Sequence, residues 1–318
     1  MLGTCVASSV AWTVADIPDL GGRVAVVTGG NGGLGLEVAR ELARKGAHVV
    51  IAARDRSKAD TAIASITEEV PGATVEVEPL DLASQASVRR AASHLLERHA
   101  RIDILGNNAG VMATPERRTD DGFEHQLAVN HLGHFALTGL LLPALLQSDA
   151  ARVVSVTSTG RHVRGRLDPE NPHLVGAYGP WRAYGRSKLA NVHFALGLER
   201  RFREAGVAAR SLVVHPGFVN TDLQARSVRA TGGGRSQRFF HEAVRRVGMT
   251  PARGALVILR AATDPEAVGG TLYTPRWVNV GPPVRRPLFR RSRDPVAIEA
   301  LWIVSERETG VTYRLAPG

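Results

Sequence analysis

The 318-residue chain contains only one cysteine, Cys5, so no disulfide can form within it and the fold does not depend on an oxidising compartment. Apolar runs are short: the longest, at 136–146, contains Pro143 and falls below the roughly 18 residues of a membrane-spanning helix. Lysine is also scarce, which indicates a GC-rich bacterial genome. The composition, 44% hydrophobic and 22% charged, is globular and excludes disordered and collagen-like classes. We expect a soluble, cytoplasmic protein.

Positive charge predominates, with a net charge of +10 carried mainly by arginine. The arginines are spread along the chain and form a cluster between Arg285 and Arg293, but aromatic residues are not interleaved with them as in a nucleic-acid groove. We therefore expect a solvated arginine-rich surface and no nucleic-acid partner, with a nucleic-acid or anionic-surface binder as the rival hypothesis. Residues 1–15 are expected to be a loose extension, because they lack the basic start of a secretory signal.

Short β-branched runs alternate with amphipathic stretches, which predicts βαβ units and a parallel sheet. The predicted strands are 24–28, 48–52, 74–78, 102–105, 152–156 and 211–214. A first helix is predicted over 34–45, and Ser57, Ser84 and Thr250 are expected to cap later helices. We expect one α/β domain over residues 16–275, with residues 276–318 forming a Pro- and Arg-rich tail packed on it.

A glycine-rich turn joins the first predicted strand to the first predicted helix. It fits GxGxxG at Gly30, Gly32 and Gly35, and it also fits TGxxxGxG at Thr28, Gly29, Gly33 and Gly35. Glycines let backbone N–H groups approach a pyrophosphate at the positive end of a helix. Since a strand precedes the turn and a helix follows it, the turn predicts a dinucleotide site in a Rossmann-type, doubly wound parallel sheet flanked by helices on both faces.

The end of the second predicted strand determines the preferred cofactor. An acidic residue there binds the 2′-hydroxyl of NAD, whereas this chain has Ala53 followed by Arg54, and a guanidinium suits a 2′-phosphate. This favours NADP(H). The alternative, with NAD(H), has Arg54 facing solvent and Asp55 binding the ribose.

Tyr184 and Lys188 are four residues apart and therefore share one face of a helix. A phenol next to a cation ionises more readily, so Tyr184 can exchange a proton with a carbonyl or an alcohol oxygen. Ser158 follows a predicted strand at the edge where open α/β sheets bind ligands, and its hydroxyl can hydrogen-bond the substrate oxygen.

Together these residues resemble the short-chain dehydrogenase/reductase family over about residues 16–273, and they are most similar to its retinol-dehydrogenase-like, NADP-preferring branch. The resemblance implies that Asn130 is a fourth catalytic residue, which holds a water linked to Lys188, and that Lys188 lowers the pKa of Tyr184. It also implies a set of cofactor-binding residues. These are Thr28, Gly29, Asn31, Gly33, Leu34, Gly35, Arg54, Asp81, Leu82, Asn108, Ala109, Gly110, Tyr184, Lys188, Val219 and Thr221.

The expected function is an NADP(H)-dependent oxidoreductase that interconverts a carbonyl and an alcohol on a lipophilic small molecule. A non-catalytic NADP-binding regulator on the same fold is the main alternative, and sugar-nucleotide epimerase chemistry is a further one. No metal is expected, because no metal-binding spacing accompanies His131, His134, His162 or His215. Residues 222–247 are expected to form a glycine-hinged lid or a surface loop, and the resemblance implies dimers or tetramers.

Overall fold

One eight-stranded sheet organises the chain, in the order β3-β2-β1-β4-β5-β6-β7-β8. The computed structural model describes residues 11–163, 167–220 and 248–315. All neighbouring strands are parallel except β7 and β8, which are antiparallel. The strands are β1 (Val24–Thr28), β2 (His48–Ala53), β3 (Val75–Pro79), β4 (Ile104–Asn107), β5 (Arg152–Val156), β6 (Arg210–Val214), β7 (Leu272–Pro275) and β8 (Pro283–Arg286).

Helices cover both faces of this sheet, because side chains of a buried strand alternate between the two faces and each face must be covered. Val26 of β1 joins one core cluster, whereas Ala25 and Val27 join the other. The helices are α1 (Gly33–Arg44), α2 (Arg56–Glu69), α3 (Gln85–Arg98), α4 (His125–Leu127), α5 (Gly133–Leu140), α6 (Leu142–Leu145), α7 (Pro180–Glu204), α8 (Pro251–Thr263) and α9 (Pro295–Thr309). A π-helical turn, Ala128–Leu132, joins α4 to α5.

The two cores contain different helices. Leu95 of α3, Phe135 of α5 and Phe194 of α7 pack in the first core, and Leu42 of α1 and Ile258 of α8 pack in the second. The expected doubly wound α/β fold is thereby confirmed. The strand order reverses at β1, which has β2 on one side and β4 on the other. In such a sheet the crevice for a ligand lies at the carboxyl ends of these strands.

Helix capping agrees with the sequence at two positions and differs at one. The Ser84 side chain accepts a hydrogen bond from the Ser87 amide, and Thr250 caps α8 with Pro251 in its first turn. The prediction that Ser57 caps α2 is wrong. The helix begins two residues earlier, because the Asp55 carboxylate accepts a hydrogen bond from the Lys58 amide at 3.1 Å.

The last part of the chain contains more regular structure than its Pro- and Arg-rich sequence predicted. Strand β8 extends the sheet, and α9 contributes Trp302 to the first core. The Trp302 ring packs edge-on against Phe135 at 5.1 Å, and the Tyr313 hydroxyl donates to the Phe135 carbonyl at 2.7 Å. These contacts attach the C-terminal segment to α5.

Candidate active site

The glycine turn after β1 adopts the TGxxxGxG pattern. Gly29 and Gly33 have φ values of 67° and 53°, which favour glycine. A Cβ atom on Gly35 would overlap the Gly29 carbonyl oxygen and lie 2.6 Å from Nδ2 of Asn108. Gly32 is different, since a Cβ there would meet nothing within 4 Å. The close turn therefore depends on Gly29, Gly33 and Gly35, and the alternative GxGxxG pattern does not describe it.

Thr28 fastens this turn to the segment after β4. Its buried hydroxyl accepts hydrogen bonds from the amides of Asn108 and Ala109 at 2.9 and 3.0 Å, and the Asn108 side chain donates to the Thr28 carbonyl at 2.8 Å. These polar contacts of the Thr28 side chain lie inside the protein, so it shapes the turn from behind. The expected contact between Thr28 and the cofactor stays a prediction.

His134 links Thr28 to Asn130. Burial lowers the pKa of His134 to about 4, so its imidazole is neutral at pH 7. Its Nδ1 lies 3.1 Å from the Asn130 carbonyl oxygen and must donate there, which leaves Nε2, 2.9 Å from the Thr28 hydroxyl, as an acceptor. The π-helical turn that contains Asn130 is therefore tied to the end of β1.

The side chain of Asn130 holds the chain after β4. Its Oδ1 accepts from the Val111 amide at 2.8 Å, and its Nδ2 donates to the Val111 carbonyl at 3.0 Å. Gly110 lies over this residue, since a Cβ on Gly110 would be 2.9 Å from Asn130 Oδ1 and 3.3 Å from Lys188 Nζ. The structure therefore brings Asn130, Gly110 and Lys188 together.

Arg54 lies at the carboxyl end of β2, where the ribose specificity was predicted to reside. Its side chain is 69% exposed, and its Nη1 is 3.9 Å from the Asp81 carboxylate after β3. Asp55 caps α2 and its Oδ2 lies 3.4 Å from the Lys58 ammonium. The Asp55 carboxylate is therefore engaged by its own helix, and Arg54 is the exposed charge at this edge. Leu82, next to Asp81, is buried against Gly133.

Tyr184 and Ser158 meet at the carboxyl end of β5. Both side chains lie beside Gly160, where a Cβ atom would be 2.7 Å from the Tyr184 ring and 3.5 Å from the Ser158 hydroxyl oxygen. Ser158 also accepts from the Gly160 amide at 3.1 Å and so begins the 3₁₀ turn Thr159–His162. A Cβ on Gly185 would lie 2.7 Å from the Gly160 carbonyl oxygen, which shows how closely α7 approaches this turn.

Lys188 is buried one helical turn beyond Tyr184. Its Nζ lies 6.0 Å from the centroid of the Tyr184 ring and donates to the Val156 carbonyl at 3.2 Å. Burial lowers the pKa of Lys188 to about 8. Burial raises the pKa of Tyr184, and the neighbouring Ser158 side chain opposes that effect only in part. The lowering of the Tyr184 pKa expected from Lys188 is therefore not found in this structure, where Ser158 is the side chain that lowers it.

The segment after β6 approaches the same edge of the sheet. Val219 is buried and pairs with Met249 in an isolated parallel bridge. Gly254 of α8 packs directly on Val219, and a Cβ on Gly254 would also lie 2.8 Å from the Leu34 side chain. Leu34 and Val219, both predicted to contact the cofactor, are thus neighbours. Thr221 and the predicted lid at 222–247 lie outside the described residues.

Apolar side chains also contact Tyr184. Met112 and Ala113 form a cluster with Tyr184, and Trp181 packs against it edge-on with ring centroids 6.1 Å apart. Met112 and Ala113 follow the turn after β4, and Trp181 begins α7. The Tyr184 side chain therefore packs against an apolar wall formed by Met112, Ala113 and Trp181.

Comparison with known proteins agrees with this geometry. The family model for short chain dehydrogenases matches residues 23–231, which is more than half of the chain. The chain belongs to the short-chain dehydrogenase family. The resemblance inferred from its motifs is confirmed, and the protein is an oxidoreductase of this family.

Two mouse relatives match this short-chain dehydrogenase over nearly its whole length. Retinol dehydrogenase 12 from Mus musculus is 37% identical over 310 residues, which span 96% of this chain and 92% of that protein. Polyprenol dehydrogenase from Mus musculus is 41% identical over 301 residues, with coverages of 92% and 86%. The relatives are mostly eukaryotic, so the expected bacterial source and cytoplasmic location stay predictions.

Solved structures show the same fold. An uncharacterized protein from Mycobacterium Paratuberculosis is similar with a TM-score of 0.78 and 38% identity, covering 96% of this chain and 100% of that one. A short chain dehydrogenase from Escherichia coli CFT073, complexed with NADPH, has a TM-score of 0.61 and 26% identity, with coverages of 80% and 97%. Across the described ranges of this family member, no helix has the length and apolar content needed to cross a bilayer.

Several residues that hold this dehydrogenase site together were not predicted. Ser187 accepts from Asn130 Nδ2 at 2.8 Å and donates to the Tyr184 carbonyl at 2.8 Å. Asn191 donates to the Val156 carbonyl at 2.9 Å, and the Thr157 hydroxyl donates to the Lys188 carbonyl at 2.6 Å. The available signal was helical spacing: Tyr184, Ser187, Lys188 and Asn191 repeat every three or four residues on one face of α7.

Proposed function

We propose that this protein is an NADP(H)-dependent oxidoreductase that interconverts a carbonyl and an alcohol on a lipophilic small molecule. The observation that carries the proposal is that the Ser158 and Tyr184 side chains meet beside Gly160, with buried Lys188 one helical turn away. The segment after β4 joins this group to the glycine turn: a Cβ on Gly29 would lie 3.2 Å from the Ala109 Cβ, and Gly110 approaches Lys188.

The glycine turn fits a dinucleotide phosphate. Backbone replaces side chains at its closest points, because Gly35 leaves no room for a Cβ, and the positive end of α1 follows directly. Exposed Arg54 suits a 2′-phosphate, whereas Asp55 is engaged in capping α2. NADP(H) is therefore the cofactor, in agreement with the NADPH named in a structural neighbour.

When bound, NADP(H) supplies or accepts the hydride. In the reducing direction the Tyr184 hydroxyl gives its proton to the substrate carbonyl oxygen as carbon receives the hydride, and the product is the alcohol. Ser158 donates a hydrogen bond to the same oxygen while charge develops on it. Lys188, whose pKa of about 8 keeps it near its titration point, stabilises the tyrosinate and assists its reprotonation. Oxidation follows the reverse path.

The apolar wall beside Tyr184 supports a lipophilic substrate. Met112, Ala113 and Trp181 offer the tyrosine no competing charge, and burial of an apolar substrate against them is favourable. Retinol and polyprenol, which appear in the names of two relatives, are alcohols with long apolar chains.

The proposal is tested by measuring NADPH oxidation with a panel of lipophilic aldehydes and ketones, and NADP⁺ reduction with the matching alcohols. Tyr184→Phe should lower kcat by roughly a hundredfold or more, since general acid catalysis is lost, while NADPH affinity changes little. The control is Tyr273→Phe, which removes a phenol that accepts from the Val268 amide and should retain turnover.

Two results would overturn the proposal. Equal turnover by wild type and Tyr184→Phe would exclude the tyrosine as the acid. NADPH binding without turnover of any panel member would instead favour the non-catalytic regulator.

A further inference from the structure

Two histidines and a glutamate converge at the edge of the sheet opposite the candidate active site. His48 is the first residue of β2, Glu76 lies in the neighbouring strand β3, and His99 directly follows α3. Because strand β2 runs away from this edge, His48 and Arg54 are separated by the length of the strand, roughly 20 Å. Neither His48 nor His99 was among the histidines considered above as metal ligands.

The donor atoms of these side chains point at one another. His99 Nε2 lies 2.8 Å from Glu76 Oε1, and His48 Nε2 lies 3.7 Å from the same oxygen. All three donor atoms are within 4.8 Å of one another, and the two imidazole rings meet edge-on at 5.1 Å. A single carboxylate oxygen therefore faces two imidazole nitrogens.

Hydrogen bonding does not fully account for this arrangement. His48 Nε2 is shielded from solvent and has no hydrogen-bond partner, although buried polar atoms are normally paired. In a tetrahedral zinc site with bonds of about 2.0–2.2 Å, neighbouring ligand atoms lie roughly 3.4 Å apart. The two distances from Glu76 Oε1, 2.8 and 3.7 Å, lie on either side of this value. Shifts of about an ångström in side-chain positions would therefore bring the donor atoms to the spacing of a zinc site.

We propose that His48, Glu76 and His99 bind a zinc ion through two imidazole Nε2 atoms and one carboxylate oxygen. Two imidazoles and a carboxylate form a known zinc ligand set, in which water completes the tetrahedron. The side chains of His48 and Glu76 are about one-third exposed, so a fourth position is open to solvent. The ion would connect β2, β3 and the end of α3.

Arg98 positions the carboxylate for this role. Its guanidinium lies 3.5 Å from Glu76 Oε2 and also pairs with Glu78, so the second oxygen of Glu76 is occupied and Oε1 remains directed at the histidines. Such outer contacts orient metal-binding carboxylates. His94, one turn earlier on α3, pairs with Glu78 rather than with this group, at 3.2 Å.

The proposal is tested by calorimetric titration of the full chain with Zn²⁺, in a Cys5→Ser background that removes the thiol. We expect one ion per chain, and a loss of affinity of roughly a hundredfold in each of His48→Gln, Glu76→Gln and His99→Gln. His94→Gln is the matched control and should bind as the parent does. Circular dichroism and NADPH affinity verify that each variant is folded.

Titration with Co²⁺ gives a second readout, because a four-coordinate Co²⁺ site absorbs strongly in the visible range. We expect this band in the parent and in His94→Gln, and its loss in His99→Gln. No Zn²⁺ binding by the parent, or equal affinity in the parent and the three ligand variants, would overturn the proposal. Since the readout is metal binding at an edge remote from Tyr184, its failure would leave the proposed oxidoreductase activity unaffected.

Discussion

Gly35 packs directly on Gly29, so closely that a Cβ atom on Gly35 would overlap the Gly29 carbonyl oxygen and press on Asn108. Gly35→Ala must therefore displace the backbone of the turn that fits the cofactor phosphates. We expect this variant to lose at least about tenfold in NADPH affinity, equivalent to roughly 1.4 kcal/mol. Fluorescence titration with NADPH measures this directly.

Gly32→Ala is the matched control for this prediction. The same side chain is added three residues earlier in the same turn, but a Cβ at Gly32 would meet open space and its φ of 174° is extended backbone that any residue adopts. NADPH affinity should stay within about twofold of the parent. Equal losses in the two variants would contradict the assignment of TGxxxGxG as the pattern that forms the site.

Arg54 is expected to select the phosphorylated cofactor. Arg54→Ala removes the exposed guanidinium at the end of β2, and a charge-assisted hydrogen bond is worth about 1.5–3 kcal/mol. The KM for NADPH should rise by roughly tenfold or more, while the KM for NADH changes little. Steady-state kinetics with both cofactors measures the difference.

Arg56→Ala controls for the loss of positive charge. Arg56 lies two residues further on, exposed on α2, and its guanidinium pairs with Asp60 at 2.8 Å. Its removal should leave both KM values unchanged. If Arg54→Ala raised the KM for NADH as much as the KM for NADPH, a residue other than Arg54 would determine the cofactor specificity.

Local signals explain why much of the fold was predictable. Strands β1 and β5 appear at their predicted bounds because their runs are continuous and β-branched, as expected for strands buried on both faces. Strands β7 and β8 were missed because each contains a proline, and β8 also contains two arginines. Their pairing is a long-range contact that no local pattern encodes.

The site was predictable where chemistry demands particular residue types, and less so where geometry alone decides. Tyr184, Lys188 and Ser158 follow from their reactive groups. The choice between two glycine patterns depended on which Cβ atoms have room, and the capping of α2 by Asp55 depended on where the helix begins. The direction in which the Tyr184 pKa shifts depended on burial, which a sequence indicates only indirectly.

Ser187 is expected to position Tyr184 through the backbone. Its hydroxyl accepts from Asn130 and donates to the Tyr184 carbonyl, and Ser187→Ala would leave one buried hydrogen of the Asn130 amide unpaired. The cost of such a group is about 1–3 kcal/mol of unfolding free energy. We expect that loss together with a roughly tenfold lower kcat and a little-changed KM for NADPH.

Ser305→Ala separates positioning from stability. Ser305, on α9, pairs with buried His131 at 2.8 Å, so its loss should also destabilise the protein. It lies outside the cleft, and kcat should be retained. Urea denaturation combined with steady-state kinetics compares the two variants, and a proportional loss of kcat in Ser305→Ala would show that stability alone governs turnover.

Lys188 is expected to lower the stability of the fold while it supports turnover. Burial lowers the pKa of Lys188 from 10.5 to about 8, so between these pH values the unfolded chain holds a proton that the folded chain lacks, and stability rises with pH. Below pH 8 the buried charge costs about 3 kcal/mol. Lys188→Met should therefore be more stable than the parent at pH 7 and lose this advantage near pH 10.5, while turnover is abolished.

Removal of the Lys188 ammonium leaves no orphaned carbonyl, because Asn191 also donates to Val156, and Met fills a similar volume. Urea denaturation of the cofactor-free protein at pH 7 and pH 10 measures the effect, and Lys58→Met, on the exposed side of α2, controls for loss of a surface charge. A Lys188→Met protein less stable than the parent at pH 7 would show that the ammonium stabilises the fold. Burial of the Lys188 ammonium would then not lower the unfolding free energy, and the active site would carry no cost in stability at this residue.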